Sequence, residues 1–218
     1  MQLFIVRHGQ PEASRPEAGP ADPGLTAGGR QQAAALAAWL TRDRDRLPDR
    51  VVSSQMRRAV ETAEQIAGAG RLEVEIDDRL AEFDLGAARY VPMEQVGVSV
   101  VEAAMTALDT GRWGEHRFDP ESFRTRVRAA FDDIVAATGT GRVVVVCHGG
   151  VINSYLSGVL GRPHGMFFRP RYTSVSRVVI DPAGTPHLLS MNEFPHWATA
   201  SARPVSQGRD GGLAAVRR

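Results

Sequence analysis

The chain has 218 residues, of which 43% are hydrophobic, and its formal net charge is +1. This length and apolar content suit one domain with a sizeable core. The near-neutral balance argues against nucleic acid or a membrane surface as a partner, because proteins that bind either normally carry a one-sided basic excess. No stretch approaches the roughly 20 apolar residues of a membrane span, so the sequence predicts a soluble protein.

Cysteine usage and the first residues bear on the compartment. Cys147 is the single cysteine of the chain, so no internal disulfide can form and nothing indicates an oxidising compartment. The apolar run of residues 3–6 is too short for a signal peptide and is not preceded by positive charge. We therefore expect a cytoplasmic protein.

Two kinds of apolar pattern alternate along the chain. Continuous apolar runs are typical of strands buried on both faces, and apolar residues at helical spacing are typical of helices. In chain order we predict strand Leu3–Val6, loop Pro11–Gly24, a helix from Leu25 to about Arg46, strand Val51–Val52, a helix with Ser53 or Ser54 as N-cap, strand Leu72–Ile76, loop Leu80–Gly86, helices 94–109 and 120–138, strand Arg142–Cys147, a helix to about Leu160, and strands Ser174–Ile180 and His187–Met191.

Local signals set several boundaries. Asp119 is a candidate N-cap for helix 120–138, with Pro120 at the first helical position, where its missing N–H needs no partner. After Trp197 the composition turns small, polar and basic, which predicts a disordered tail over residues 199–218. We expect one domain over residues 1–198, with a helical insertion over about residues 87–138 that partly covers the site.

The alternation of strands and helices implies a three-layer α/β/α sandwich around a mostly parallel sheet. Ligands of such sheets bind beyond the carboxyl ends of the strands, so the residues that follow each strand matter most. Three groups should therefore meet at one edge of the sheet: Arg7-His8-Gly9, Ser53-Ser54 with Arg57-Arg58, and His148-Gly149-Gly150.

These residue types suit a phosphoryl group. Phosphate is recognised by guanidinium forks, imidazolium donors and the N-termini of helices. Arg7 can bind phosphate through two donors, and one of Arg57 and Arg58 lies in the first turns of a helix that starts at the same edge. At Gly149 the backbone N–H groups can approach a ligand closely, because the residue has no side chain.

His8 is the candidate nucleophile, because a neutral imidazole attacks well when a hydrogen bond orients its other ring nitrogen. Attack on phosphorus would give a phosphohistidine, which water then hydrolyses. Two arginines and His148 would stabilise the charge of the transition state without a metal. The leaving oxygen needs a proton, for which Glu82 is the candidate if burial or phosphate charge raises its pKa. Asp84 is close enough to compete for this role.

Five short motifs occur in order between Met1 and about Leu160. They are Arg7-His8-Gly9; Leu25-Thr26 followed by Gly29-Arg30-Gln31-Gln32-Ala33; Ser53-Ser54 followed by Arg58-Ala59 and Glu61-Thr62-Ala63; Leu80-Ala81-Glu82; and His148-Gly149-Gly150. Together they resemble the histidine phosphatase superfamily, which is also called phosphoglycerate mutase-like. Each motif alone is a weak signal, whereas five in the expected order are a strong one.

The resemblance implies a phosphoglycerate mutase-like fold and a role for each matching residue. It implies His8 as the nucleophile, Glu82 as the proton donor and His148 as the second histidine of the pocket. It implies Arg7 and Arg58 as phosphate ligands, and it selects the second of the two adjacent helix arginines because Ala follows the arginine in the family. The expected activity is hydrolysis of a small-molecule phosphomonoester.

The chain also departs from the family pattern. Gln10 and Ser14 stand where mutases and many sugar-phosphate phosphatases have Glu and Asn, and Ala87-Ala88-Arg89 replaces a frequent Trp-Glu-Gly. The Tyr-rich, Lys-containing substrate motif of phosphoglycerate mutases is absent between Gly86 and Arg117. These differences disfavour a mutase. Gln10 and Thr26 are further candidate residues of the phosphate pocket, although Thr26 serves equally well as the cap of its helix.

Two alternatives within this reading stay open. A phosphoglycerate-type mutase would need additional basic residues near the site, and a regulatory protein could keep the phosphate pocket without turnover. The basic residues between Gly86 and Arg117, with that arginine included, are Arg89, Arg112, His116 and Arg117.

Thiol and metal chemistry are disfavoured. Thiol phosphatases need an arginine six positions after the cysteine, where this chain has Asn153 after Cys147. A site edge dominated by arginine repels a metal cation. We therefore expect neither a metal nor another cofactor. The remaining histidines show no metal-ligand spacing; they are His116, His164, His187 and His196.

Overall fold

The computed structural model describes residues 1–92, 95, 98–163 and 165–197. The described helices are α1 (Ala27–Thr41), α2 (Arg57–Gly70), α3 (Val98–Thr110), α4 (Pro120–Thr138) and α5 (Gly149–Val159). The described strands are β1 (Gln2–Arg7), β2 (Arg50–Ser53), β3 (Val74–Ile76), β4 (Arg112–Trp113), β5 (His116–Arg117), β6 (Arg142–Cys147), β7 (Val175–Ile180) and β8 (Pro186–Glu193).

Six strands form the central sheet in the order β3-β2-β6-β1-β7-β8. β3, β2, β6 and β1 are parallel to one another, whereas β7 is antiparallel to both β1 and β8. The predicted α/β fold with a mostly parallel sheet is confirmed. β4 and β5 form a separate antiparallel hairpin.

The continuous apolar runs are explained by cores on both faces of the sheet. Leu3 and Ile5 of β1 point to one face, where they pack with residues of α4 and α5. Phe4 and Val6 point to the other face, where they pack with residues of α1 and α2. Because successive side chains of a strand alternate between faces, a strand covered on both sides must be apolar throughout. The three layers follow from this arrangement.

Two predicted boundaries are wrong because local hydrogen bonds end a helix. α1 ends at Thr41 rather than near Arg46, since the Asp43 side chain accepts a hydrogen bond from the Asp45 backbone N–H and starts a turn. The strand predicted from Leu72 begins two residues later, because Leu72 N–H donates to Ala67 O and caps α2.

The predicted cap of α2 is also wrong. Ser53 is the last residue of β2, and α2 begins at Arg57 with Met56 as a cap that makes no side-chain hydrogen bond. The Ser54 hydroxyl accepts a hydrogen bond from Met56 N–H at 3.2 Å. The strand runs one residue further than predicted, and Ser54 lies between it and the helix, within hydrogen-bond distance of His148 Nε2.

Residues 87–138 contain α3, the β4–β5 hairpin and α4. Phe123 and Val127 of α4 belong to the core between the helices and the sheet. The start of the helix predicted from residue 94 and the whole of the predicted tail at 199–218 lie outside the described residues. The limits of the domain stay a prediction. Over the described ranges, none of the helices combines the length and apolarity that a bilayer crossing requires.

The cap of α4 gives a test of the fold. Asp119 accepts hydrogen bonds from Glu121 N–H and Ser122 N–H. We expect Asp119→Ala to lower the free energy of unfolding by about 1 kcal/mol, because these amides lose their partner. Asp119→Asn keeps a capping oxygen, so its free energy of unfolding should stay within a few tenths of a kcal/mol of the wild-type value. Equal losses in both variants, measured by urea unfolding, would contradict the capping role.

Candidate active site

The carboxyl ends of three parallel strands bring the predicted site residues together. The register pairs Arg7 with Cys147 and Ser53 with Val146, so β1, β6 and β2 end side by side. A pocket of about 740 Å³, part of it open to solvent, lies at this edge. Its described lining residues are Arg7, His8, Arg58, Glu82, Phe83, Asp84, Tyr90, Val91, Ala104, Met105, Trp113, Gly149, Gly150, Met166, Arg169 and Pro170.

His8 is held in one orientation and one tautomer. Its side chain is buried, and its Nδ1 lies 2.7 Å from Gly9 O. A carbonyl oxygen only accepts hydrogen bonds, so Nδ1 carries the proton and Nε2 keeps its lone pair. Burial lowers the pKa of His8 well below its usual value, and the charges of Arg58 and Arg7 lower it further. The imidazole is therefore neutral at pH 7, as a nucleophile must be.

Arg58 is buried deeply for a charged residue, with 1% of its surface exposed. Its Nη2 donates to Asp84 Oδ1 at 2.9 Å, and its guanidinium lies over the ring of Tyr90. Its Nε and Nη1 have no hydrogen-bond partner among the described residues. Arg57 points elsewhere, since its side chain is 66% exposed and pairs with Glu61. Helical spacing left this pair unresolved, and the structure places only Arg58 in the pocket.

Arg7 is anchored beside His8. Its Nη1 donates to Pro170 O at 2.7 Å, and its guanidinium lies 4.0 Å from the centre of the Tyr172 ring. Its Nε is buried without a partner among the described residues. The segment that holds this arginine comes from after α5, a region to which the sequence assigned no role in the site.

His148 is completely buried and is not among the residues that line the pocket, but its ring lies against His8, with 5.1 Å between the ring centroids. Its Nε2 is 2.9 Å from Ser54 Oγ, while its Nδ1 has no partner among the described residues. Since Ser54 Oγ already accepts from Met56 N–H, its own hydrogen is available for Nε2. With Ser54 as the donor, the proton of a neutral His148 sits on Nδ1. Burial, followed by the charge of Arg58, lowers its pKa well below the usual value.

Four buried nitrogens of Arg7, Arg58 and His148 lack partners among the described residues; the three guanidinium nitrogens are donors, and His148 Nδ1 is a donor in the tautomer in which Ser54 donates to Nε2. A buried donor without a partner costs about 1–3 kcal/mol, and native proteins rarely leave several together. These donors are Arg7 Nε, Arg58 Nε, Arg58 Nη1 and His148 Nδ1. A ligand with several acceptor oxygens and negative charge would satisfy them, which is the chemistry of a phosphoryl group.

The Glu82 carboxyl lies against the N-terminus of α5. Its Oε2 accepts from Gly150 N–H at 2.7 Å, and its Oε1 accepts from Phe83 N–H at 3.0 Å. Burial raises its pKa to about 7, with a second contribution from the charge of Asp84, although both hydrogen bonds and Arg58 oppose the rise. Near neutral pH, the protonated and the ionised forms of Glu82 are therefore both well populated.

The two carboxyls have different environments. Asp84 forms an ion pair with Arg58, and both side chains are almost completely buried. Its Oδ1 lies 2.9 Å from Arg58 Nη2. Glu82 has no arginine partner at hydrogen-bond distance among the described residues and has the raised pKa. The environment thus favours Glu82 over Asp84 as the group that can give up a proton.

Gln10 and Thr26, the two further candidates for the phosphate pocket, form hydrogen bonds at the start of α1. Thr26 Oγ1 accepts from Gly29 N–H at 2.8 Å and caps α1. Gln10 O accepts from Thr26 N–H, and Gln10 N–H donates to the Gln32 side chain. Neither Gln10 nor Thr26 is among the residues that line the pocket. Gly149, in contrast, lines it at the first turn of α5.

Thr173 is a positioning residue that the sequence did not reveal. Its φ of 56° is left-handed, which is strained for a β-branched residue and costs about 1–3 kcal/mol. In this conformation its backbone N–H donates to Arg7 O at 2.9 Å, and its hydroxyl donates to Tyr172 O. The strained residue therefore ties the end of β1 to the Tyr172 ring that packs on Arg7.

Two other expectations concern the thiol of Cys147 and the binding of a metal ion. Cys147 is completely buried in the core and does not line the pocket, and burial raises the pKa of its thiol. In the described ranges, no three His, Cys, Asp or Glu side chains group closely enough to hold a metal ion. His164 lies outside the described residues.

A family model for the histidine phosphatase superfamily (branch 1) matches residues 3–193. The chain belongs to this superfamily. The match spans every strand of the central sheet and all residues of the pocket. Phosphatases and proteins named as mutases both occur among its relatives, so membership alone leaves the reaction open.

Two relatives agree with the superfamily, and a solved structure agrees with the fold. A probable phosphoglycerate mutase of Yersinia enterocolitica is 31% identical over 195 residues, which are 87% of this chain and 89% of the relative. A glucosyl-3-phosphoglycerate phosphatase of Mycolicibacterium vanbaalenii is 34% identical over 175 residues, 74% of this chain and 75% of the relative. The structure of a phosphoserine phosphatase variant of Entamoeba histolytica, in complex with phosphoserine, has a TM-score of 0.69 and 23% identity, and the alignment covers 89% of this chain and 98% of that one.

The contact between α5 and Glu82 can be tested with two glycines of the same helix. A Cβ at Gly150 would lie 2.3 Å from Glu82 Oε1 and 2.7 Å from the Phe83 ring, whereas a Cβ at Gly158 would meet nothing within 4 Å. We expect Gly150→Ala to destabilise the protein by about 1–3 kcal/mol through overpacking. Gly158→Ala should stabilise it by about 0.5–1 kcal/mol, because alanine favours the helix. Thermal unfolding of both variants measures the contrast, and a neutral Gly150→Ala would show that Glu82 is not held tightly.

Proposed function

We propose that this superfamily member hydrolyses a small-molecule phosphomonoester in two steps, with a phosphohistidine on His8 as the intermediate and without a metal. The observation that carries the proposal is the orientation of His8 together with four buried, unpartnered nitrogens of Arg7, Arg58 and His148. The free Nε2 lone pair of a neutral imidazole and a set of donors suited to phosphate are what nucleophilic attack on phosphorus needs.

In the first step, His8 Nε2 forms a bond to phosphorus and the bond to the ester oxygen breaks. The proton on Glu82 passes to the departing oxygen, so an alcohol leaves and a carboxylate remains. In the second step that carboxylate takes a proton from water, and the oxygen attacks phosphorus. The bond to Nε2 then breaks, and inorganic phosphate and the original imidazole are released.

Arg7, Arg58 and His148 stabilise the transition state of both steps. Negative charge spreads over the equatorial oxygens as the phosphoryl group transfers, and donors fixed in a buried site stabilise that charge without reorganising. Arg58 contributes two free nitrogens, while Arg7 and His148 contribute one each. The first turn of α5 adds the partial positive charge of a helix N-terminus at Gly149.

A mutase of the phosphoglycerate type remains the alternative reaction, because several relatives bear that name. Such an enzyme needs polar partners for the carboxylate of its substrate. The basic residues between Gly86 and Arg117 do not supply them, since none of the four lines the described part of the pocket. His116 instead donates through Nε2 to Phe83 O, at 2.9 Å, and Arg117 donates to backbone oxygens of its own hairpin. This placement favours hydrolysis.

Trapping of the phosphoenzyme tests the proposal. Purified protein is mixed briefly with a labelled phosphomonoester in excess chelator and quenched, and the label is tested for lability in acid and stability in base. We expect label on the wild type and none on His8→Ala. His187→Ala is the matched control, because the His187 side chain on β8 is 60% exposed and does not line the pocket. This variant should label like the wild type.

Each contrary outcome has a distinct meaning. Equal hydrolysis by wild type and His8→Ala, or loss of hydrolysis in chelator, would contradict the His8 route. If neither protein is labelled or hydrolyses any ester while inorganic phosphate still binds, the chain is a non-catalytic phosphate-binding protein. Activity that depends on a bisphosphate primer would favour the mutase.

The acid role of Glu82 predicts an effect that depends on the leaving group. We expect Glu82→Gln to reduce kcat/KM for an alkyl phosphate by about 100- to 10,000-fold, because the alkoxide then leaves without a proton. This parameter reports the steps up to departure of the alcohol, whereas kcat would also include the second step, in which Glu82 serves both esters alike. The loss for p-nitrophenyl phosphate should be far smaller, since nitrophenolate leaves readily as an anion. Parallel steady-state kinetics on both esters measure the two losses. Equal losses would assign Glu82 a structural role instead.

The pH dependence follows from the same carboxyl. Glu82 must be protonated to act as an acid, and its pKa is raised to about 7, so kcat/KM for an alkyl phosphate should fall as pH rises through about 7. Asp84→Asn removes a negative charge that contributes to this rise and should move the fall to lower pH. A pH profile with no decline on the alkaline side, or one that Asp84→Asn moves upward, would contradict the assignment.

A further inference from the structure

Apart from the residues proposed to bind phosphate, the wall of the pocket is mostly aromatic and apolar. The side chains come from three separate parts of the chain: the loop after Glu82, the residues from α3 to β4, and the segment after α5. They are Phe83, Tyr90, Val91, Met105, Trp113 and Met166. Such convergence of apolar side chains from distant segments makes this wall a property of the folded pocket.

Ring contacts and one hydrogen bond hold the aromatic part of this wall. Phe83 is stacked on Phe118 with 5.1 Å between the ring centroids, and Trp113 meets the Phe83 ring edge-on at 6.1 Å. His116 holds the same loop through its hydrogen bond to Phe83 O. A wall held in this way can bind a flat apolar group without the entropic cost of first ordering its side chains.

Polar partners for the rest of a substrate are scarce. Among the described lining residues, the polar side-chain groups other than those of Arg7, His8, Arg58, Glu82 and Asp84 are the hydroxyl of Tyr90, the indole N–H of Trp113 and the guanidinium of Arg169. The Tyr90 ring already lies against Arg58, at 4.7 Å, and Arg169 is exposed at the rim. A polyhydroxylated alcohol would lose water here and find few replacements for its hydrogen bonds, which opposes its binding.

We propose that the pocket selects phosphomonoesters whose alcohol part is apolar and carries a ring, and that Met105 and Trp113 contact that part. This inference rests on the proposed function for the reaction, but it concerns the binding of the alcohol part. It also separates the chain's substrate from phosphoglycerate, whose carboxylate and hydroxyl would face this apolar wall.

Binding of phosphonates tests the substrate class without any turnover. Phenethyl phosphonate and glyceryl phosphonate present the same charged group with an aromatic or a polyhydroxylated substituent. We expect the phenethyl compound to bind at least about tenfold more tightly by calorimetry, as apolar pockets discriminate by this order for small apolar groups. Equal affinities, or tighter binding of the glyceryl compound, would overturn the proposal.

Two variants connect the preference to the wall. Met105→Gln keeps the length of the side chain but adds a polar group, so the preference should fall severalfold, and Trp113→Ala should reduce it further. Met191→Gln is the matched control, because Met191 is 38% exposed on β8 and does not line the pocket. A preference that survives in both pocket variants would overturn the assignment to these residues.

Hydrolysis separates this inference from the proposed function. Phenethyl phosphate and glycerol phosphate are both alkyl esters, so the intrinsic reactivity of their leaving groups is similar. Faster turnover of the phenethyl ester in terms of kcat/KM supports both proposals, and faster turnover of the glycerol ester supports the chemistry but overturns the substrate class. If neither ester is hydrolysed but the phenethyl phosphonate binds preferentially, the proposed function fails while the ligand class stands.

Discussion

The buried ion pair between Arg58 and Asp84 is the interaction on which the electrostatics of the pocket depend. Asp84 binds one nitrogen of the guanidinium and leaves two others for a ligand. The positive charge of Arg58 lowers the pKa values of His8 and His148, after the larger effect of burial, and keeps both imidazoles neutral. The negative charge of Asp84 adds to burial in raising the pKa of Glu82. Together with burial, this pair of charges therefore favours the neutral His8 imidazole and the protonated Glu82 carboxyl that the proposed mechanism uses as nucleophile and acid.

The architecture could be predicted where the sequence signal is local and strong. The apolar runs of β1 and β6 are continuous because helices cover both faces of the sheet, and Asp119 caps α4 as its position suggests. The errors lie at element ends. The end of α1 depends on the side-chain turn at Asp43, and the start of β3 depends on the hydrogen bond that Leu72 gives to α2. Such bonds compete with the helix by small free energies that hydrophobic periodicity does not contain.

The site could be predicted only to the extent that it follows strand ends. Arg7 and His8 are the residues at which β1 ends, so their place at the carboxyl edge is local information. The hydrogen bond between Ser54 and His148, which are 94 residues apart, requires the tertiary fold, as does the pairing of Arg58 with Asp84. The aromatic wall is equally non-local. For this reason the sequence indicated the chemistry at phosphorus but gave no information on the alcohol part of the substrate.

The stereochemical course at phosphorus tests the phosphohistidine account most directly. The measurement uses a phosphomonoester made chiral at phosphorus by oxygen isotopes and follows transfer of the phosphoryl group to an alcohol acceptor in place of water. Each in-line displacement inverts the configuration, so attack by His8 followed by attack of the acceptor predicts net retention. Net inversion would mean a single direct displacement by the acceptor, and it would contradict the covalent intermediate even if His8 proved essential for activity.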